Sequence, residues 1–182
     1  VVKKNKAIFL DRDGVLVKSI IKNKKGYAPK NMNEFSLYPN IAESCKKLKN
    51  KNYLLIIITN QPDLGKKRIK EKVFNKMNRI LKNVIFYDKL YVSRCHSSSS
   101  YFRKPNPGLF NLAIKKYKLD ISKCFMIGDR KSDIDAASKV KCKSIFINRN
   151  YIEEKPKEQI AQVSSLKRAA DVILKRGELW KR

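Results

Sequence analysis

The apolar residues of this chain fall into short continuous runs, separated by longer stretches in which they recur every three or four positions. Ile8 to Leu10, Tyr53 to Ile58, Asp88 to Ser93, Lys123 to Ile127 and Ser144 to Ile147 have the length and continuity of strands buried in a sheet. Between them, Ile41, Ala42, Cys45 and Leu48 follow Pro39 at helical spacing. Ile69, Val73, Phe74, Met77, Ile80 and Leu81 form one side of an amphipathic basic helix expected over residues 66–82. A further helix is expected to begin near Gly108 and to run through Phe110, Leu112, Ala113, Ile114 and Tyr117. Strands alternating with helices predict an α/β fold with a doubly wound, mainly parallel, Rossmann-like sheet. Residues 18–30 are polar, basic and broken by Gly26 and Pro29, which reads as a flap too short to fold alone. From Asn148 onward the chain reads as helical and polar, with Val172-Ile173-Leu174 a candidate edge strand.

Four of these strand ends carry polar clusters. The first strand breaks off into Asp11-Arg12-Asp13-Gly14, two carboxylates one residue apart at the edge where parallel sheets bind ligands. An aspartate there can attack a phosphoryl group, and a second carboxylate two residues on can shuttle the proton, acid first and base second. Taken alone, an acidic pair before a glycine is equally a polar turn. The second strand ends in Thr59-Asn60-Gln61-Pro62, where Thr59 and Asn60 can donate hydrogen bonds to a phosphate without adding negative charge. Arg103-Lys104-Pro105 precedes the Gly108 helix, and its two cations can neutralise a phospho-enzyme and grip a second anionic group, or form a surface basic pair. Asp129 and Asp133, four apart on a loop and first helical turn, supply further acids that can face a cation opposite Asp11. Crowded carboxylates and phosphoryl oxygens are hard ligands, so Mg2+ is the expected cofactor.

With 182 residues the chain suits one domain, 1–182, with an ample core. Forty-three Lys+Arg against 16 Asp+Glu give a net charge of +27, which invites a nucleic-acid partner. Lysines, however, occur in every segment rather than on one stripe, which favours a biased composition attracting anionic substrates over a dedicated polyanion surface. Cys45, Cys95, Cys124 and Cys142 show no metal-type pairing and are expected as reduced thiols. The chain has no long apolar leader and no run of about 18 apolar residues, so a cytoplasmic protein without membrane contact is expected.

Asp-x-Asp-Gly, Thr-Asn, Lys-Pro and Gly-Asp-x3-Asp, in that order at strand ends, resemble the four motifs of the haloacid dehalogenase superfamily. The wording Phe-Leu-Asp-Arg-Asp-Gly-Val, Thr-Asn-Gln and Arg-Lys-Pro-x-Pro-Gly is most similar to the D-glycero-D-manno-heptose-1,7-bisphosphate 7-phosphatases and related histidinol phosphatases, which lack a large cap domain. The resemblance implies Asp11 as nucleophile and Asp13 as acid/base. It implies phosphate or substrate contacts from Arg12, Thr59, Asn60, Arg103 and Lys104. Mg2+ would be held by Asp11, the Asp13 carbonyl and Asp129, with Asp133 in support. The implied enzyme is a phosphomonoesterase acting on a small phosphorylated sugar, with a monomer as the default state. The alternative is a polynucleotide 3'-phosphatase that would use the positive charge. One departure stands out. Relatives usually carry a zinc loop with paired cysteines before Arg-Lys-Pro, whereas here only Cys95 and His96 remain, two ligands against the four that a structural zinc takes. No zinc is expected, and His96 reads as a loop residue or substrate contact.

Overall fold

A computed structural model describes residues 4–179. In chain order the elements are β1 (Lys6–Leu10), β2 (Ile20–Lys22), β3 (Lys25–Tyr27), α1 (Ile41–Asn50), β4 (Tyr53–Asn60), α2 (Pro62–Gly65), α3 (Glu71–Ile85), β5 (Lys89–Ser93), α4 (Gly108–Tyr117), β6 (Phe125–Gly128), α5 (Lys131–Lys139), β7 (Lys143–Ile147), β8 (Ala161–Val163) and α6 (Leu166–Leu179). Six strands pair in the order β5-β4-β1-β6-β7-β8, every pair parallel. The chain builds outward from β1 in one direction through β4 and β5, then returns to β1's other side for β6, β7 and β8. That reversal puts the topological switch point beside β1, where open α/β sheets bind their ligands.

Strict alternation along the strands divides the apolar residues between two cores. Ile8 and Leu10 of β1, Leu55 and Ile57 of β4, and Phe125 and Ile127 of β6 pack with residues of α1, α3 and α6. Ala7 and Phe9, Ile56 and Ile58, and Met126 point the other way, against Leu109, Phe110 and Ala113 of α4 and Ala136 and Ala137 of α5. A strand covered on both faces has no use for polar side chains until it reaches its end, which is why the runs are continuous in sequence. The doubly wound sheet with its two helical layers follows from that pattern. No helix among the described residues is long and apolar enough to cross a membrane.

Two expectations need revision, and a third gains its form. The helix expected over 66–82 is displaced: α2 covers only Pro62–Gly65, and α3 starts at Glu71. Lys67 takes a left-handed φ of 56°, which interrupts the helical path, and Ile69 packs in a small cluster with Leu64 and Phe74 instead of on the face of α3. Val172-Ile173-Leu174 is not an edge strand but part of α6; Leu166, Ala169, Ala170 and Ile173, at helical spacing, are buried in the core shared with α1. The edge strand is Ala161–Val163, paired with β7. The flap is a hairpin, β2–β3, turned through Asn23 and Lys24 with φ of 48° and 57°, a two-residue connection with both central residues left-handed. Apart from this hairpin, no inserted sheet lies between β1 and α1, so the fold is capless. Residues 1–3 and 180–182 of the expected domain lie outside the described residues.

Candidate active site

β1, β4 and β6 end side by side, and each delivers polar residues to the same cleft. Asp11 follows β1, its amide donating to the Ile127 carbonyl at 3.0 Å, which ties the loop to β6. Thr59 and Asn60 are the last residues of β4; Lys104 comes from the segment between β5 and α4; Asp129 follows β6; Asp133 lies in the first turn of α5. The cleft has a volume of about 450 Å³ and is lined by Asp11, Asp13, Thr59, Asn60, Arg103 and Lys104, with Ser19 and Tyr27 of the flap opposite.

Lys104 is 3% exposed, and its ammonium is fully engaged. Nζ donates to Asp11 Oδ1 at 2.6 Å and to the Ile58 carbonyl at 2.7 Å, and lies 2.6 Å from Asp133 Oδ1. Burial works against the charged amine, but Asp11 and Asp133 hold it above its ordinary range. Asp11 shows the opposite balance: burial pushes its carboxyl up to about 7, helped by Asp133 and Asp13 and opposed by Lys104. Asp133 accepts at Oδ2 from the amides of Asp129 (3.2 Å) and Arg130 (3.0 Å), so it braces the loop after β6 as well as Lys104.

Asp129 is the unbalanced group. It is 2% exposed, and neither carboxylate oxygen accepts a hydrogen bond of good geometry, although the Tyr151 hydroxyl is close enough to act on it. Burial, then Asp11 and Asp133, raise its carboxyl well above the usual range. Asp11, Asp129 and Asp133 each place an oxygen within 4.8 Å of the others. Three buried carboxylates thus crowd together while Lys104 bridges only Asp11 and Asp133, a set of oxygen donors that suits a divalent cation. Gly14 is part of this arrangement. Its φ is +91°, and a Cβ there would lie 1.8 Å from Asp129 Oδ2, so only glycine admits that carboxylate.

Asp13 is held from two sides. Arg12 Nη1 lies 2.5 Å from its Oδ1, and Gln61 Nε2 donates to its Oδ2 at 2.5 Å. Gln61 Nε2 also lies 3.0 Å from Thr59 Oγ1, joining the β1 and β4 loops through one amide.

The family model described as polynucleotide kinase 3 phosphatase matches residues 6–172, nearly the whole chain. The chain belongs to this family of phosphatases, within the haloacid dehalogenase superfamily. It is 33% identical over 147 residues to the D-glycero-beta-D-manno-heptose-1,7-bisphosphate 7-phosphatase of Helicobacter pylori, covering 77% of this chain and 82% of that protein. Over 139 residues it is 36% identical to the D-glycero-alpha-D-manno-heptose-1,7-bisphosphate 7-phosphatase of Campylobacter jejuni, covering 73% and 76% of the two chains. The crystal structure of a D,D-heptose 1,7-bisphosphate phosphatase from B. bronchiseptica, complexed with magnesium and phosphate, matches its fold with a TM-score of 0.78 at 20% identity, covering 94% of this chain and 99% of that one.

In this phosphatase the structure gathers Asp11, Asp13, Thr59, Asn60, Arg103, Lys104 and Asp133 around one cleft, with Asp129 beside Asp11 and Asp133 but not lining it. Two of the residues expected to contact substrate are otherwise engaged. Arg12 is fully buried and turned toward α3, where Nε donates to Asn78 Oδ1 at 3.0 Å. Its side chain therefore lies behind Asp13 rather than in the cleft. Asn60 spends its amide on the backbone of Lys104, donating to the carbonyl at 3.0 Å and accepting from the amide at 3.1 Å. Arg103 lines the cleft while donating to the Cys95 carbonyl at 2.7 Å, and Cys95 and His96 are exposed on that loop.

Sequence reasoning passed over three further contributors. Gln61 stood next to Thr59-Asn60, and its position at a strand end was the available signal. Arg149 Nε donates to the Gly14 carbonyl at 2.7 Å, while the guanidinium lies 3.8 Å over the Tyr38 ring, so it fixes the loop after β1 from 135 residues away. Arg130 pairs with Glu153 at 3.1 Å, donates to the Gly26 carbonyl and lines the cleft, which ties the flap to the end of β6. Nothing in the local sequence marks either arginine among 43 basic residues.

Proposed function

We propose that the chain is a Mg2+-dependent phosphomonoesterase that acts through a phosphoaspartate at Asp11 on a small phosphorylated sugar of the heptose-bisphosphate kind. The observation that carries the proposal is the buried set of Asp11, Lys104 and Asp129. It presents a carboxylate nucleophile beside a fixed ammonium and a buried carboxylate to which, among the described residues, only the Tyr151 hydroxyl is placed to donate from a side chain, at less than good hydrogen-bond geometry. Asp11 and Asp129, with the Asp13 carbonyl, would hold Mg2+, and Asp133 would steady the site through its bonds to Lys104 and the Asp129 amide. Bound there, the cation would offset the negative charge that gathers around the transferring phosphoryl group.

In the first half-reaction an Asp11 carboxylate oxygen attacks phosphorus, the bond from phosphorus to the sugar oxygen breaks, and the Asp13 carboxyl gives its proton to that oxygen. In the second, Asp13 takes a proton from water as the water oxygen attacks phosphorus. The Asp11–phosphorus bond then breaks, releasing inorganic phosphate. Lys104 neutralises Asp11 and the phosphoryl oxygens throughout, and Thr59 orients them. Arg103, at the open side of the cleft, suits a second anionic group on the substrate. The relatives named for heptose bisphosphates support the sugar class, and they include both anomers. The enzyme is proposed as a cytoplasmic monomer; four free cysteines, three of them buried, are in keeping with a reducing compartment.

A second reading, a polynucleotide 3'-phosphate as substrate, draws on the family description and the +27 charge. One experiment separates them: phosphate release with Mg2+ from sugar mono- and bisphosphates, histidinol phosphate and 3'-phosphorylated oligonucleotides, with Asp11→Asn as control. Turnover of a sugar bisphosphate that vanishes in the control is expected. Preference for the oligonucleotide, with affinity falling on a log-log salt slope of about −0.7 per phosphate contact, would favour the second reading. No turnover by the folded protein would overturn both.

A further inference from the structure

A fully buried arginine needs a reason that a lysine-rich composition does not provide. Arg12 has 0% exposure, although it sits between the two aspartates of the loop after β1. Every face of its guanidinium is used. Nη1 lies 2.5 Å from Asp13 Oδ1, Nε donates to Asn78 Oδ1 at 3.0 Å, Nη2 lies 3.6 Å from Met77 Sδ, and the group rests 5.0 Å over the Phe74 ring. Phe74, Met77 and Asn78 all belong to α3, a helix whose remaining buried residues serve the core. Asn78 is itself buried, at 6% exposure, and points a polar group inward from a helix face that is otherwise apolar. On the other side of Asp13, Gln61 is 1% exposed and donates to Oδ2.

We infer that Arg12 is a positioning residue for the proton-transfer step: with Gln61 opposite and Asn78 behind, it fixes the Asp13 carboxyl at the leaving-group side of the cleft, and α3 is the rigid support of that clamp. The inference rests on the proposed role of Asp13 as acid/base. A buried charge is stable only with its partners in place, so the arrangement resists rotation of any one member. A planar fork held at Nε cannot turn without losing that bond, so Nη1 stays aimed at Oδ1. A carboxyl gripped at both oxygens keeps one orientation, and proton transfer within hydrogen-bond reach depends on that orientation.

The test exploits leaving-group chemistry. An alkyl phosphate expels a strongly basic oxygen and needs the proton from Asp13, whereas p-nitrophenyl phosphate expels a stable phenolate and needs it far less. kcat/KM, which reports the step that releases the leaving group, is compared for both substrates in wild type, Asp13→Asn, Arg12→Gln, Arg12→Lys and Asn78→Ala. Asp13→Asn sets the reference, with a loss about 10²-fold or more for the alkyl phosphate and a much smaller one for the aryl phosphate. Arg12→Gln is expected to follow it, losing about tenfold more on the alkyl than on the aryl phosphate, with the fall in kcat rather than a rise in KM. Arg12→Lys should recover part of the difference, and Asn78→Ala should show a smaller loss of the same kind. Should Arg12→Gln fail to fold, Arg12→Lys and Asn78→Ala carry the comparison. Equal losses on both substrates in these variants, or no loss, would mean that Arg12 serves only packing and would overturn the inference. If Asp13→Asn itself shows no preference between leaving groups, the role of Asp13 is what fails, and the clamp falls with it.

Discussion

At the scale of single residues, the site is governed by burial more than by the choice of polar groups. Asp11 has an ordinary carboxyl value of 3.8, and burial lifts it to about 7. Its sign has two consequences for the metal-free protein. Between pH 4 and 7 the unfolded chain gives up this proton while the folded chain keeps it, so this group destabilises the fold progressively across that range and no further above it. A divalent cation needs the carboxylate, so it competes with the proton. The affinity for Mg2+ is therefore expected to rise with pH through this range, by up to about tenfold per pH unit for each proton released, since Asp129, whose carboxyl burial also raises, must give up its proton too. Calorimetric titration of Mg2+ from pH 5 to 8.5 checks this, and a pH-independent affinity would contradict it. Gly14→Ala makes a second residue-scale prediction. Its Cβ would collide with Asp129 at a left-handed backbone position, so Mg2+ binding and phosphatase activity should be lost together, with destabilisation of about 1–3 kcal/mol in urea unfolding.

At the scale of elements, what could be read in advance and what could not divide along physical lines. β1, β4, β6 and β7 were legible because a strand covered by helices on both faces must be apolar throughout, and the polar residues that end it then stand out. Asp11, Thr59 and Asp129 were legible for the same reason, and Lys104 from its place in a basic pair just ahead of the helix that begins at Gly108. β8 was not, since Ala161–Val163 lies at the sheet edge and is only partly buried, whereas Val172-Ile173-Leu174 has the composition of a strand but lies on α6. Short apolar triplets carry no period, so only the packing of Ile173 beside Ala169 and Ala170 against α1 distinguishes helix from strand. Urea unfolding tests that assignment. Ile173→Ala, at a fully buried helical position, should cost about 2–5 kcal/mol, and Val172→Ala, which is half-buried, clearly less. A strand would reverse the order or make the two equal. Arg12 and Asn60 show the complementary limit: their motif positions were evident, but the direction of each side chain depends on α3 and on the Lys104 backbone, which lie far away in sequence.

At the scale of the molecule, a chain with charge +27 keeps its buried carboxylates in one place. Three of its 16 acidic residues form the buried cluster, of which Asp11 and Asp133 line the cleft together with Asp13. Positive charge of this size is expected to attract anionic substrates, and Lys104 pairs with two of the three carboxylates of the cluster. The cysteines report on the integrity of the same architecture. Burial pushes the Cys45 thiol up to about 12 and the Cys124 thiol up to about 11, and it raises Cys142 as well; Cys95 alone of the four is exposed. A thiol reagent at neutral pH should therefore modify one cysteine in the folded protein and four after unfolding, and rapid modification of two or more in the folded protein would contradict the packing described.

The proposed mechanism requires a covalent bond between Asp11 and phosphorus. Rapid acid quenching during turnover with a sugar bisphosphate and Mg2+, followed by borohydride reduction and peptide mass analysis, tests it directly. Homoserine is expected at position 11 in the peptide that contains Phe9 to Val15, formed only when substrate and Mg2+ are both present and absent from Asp11→Asn. Unreduced aspartate at position 11 during confirmed turnover, or reduction at another carboxylate, would contradict it.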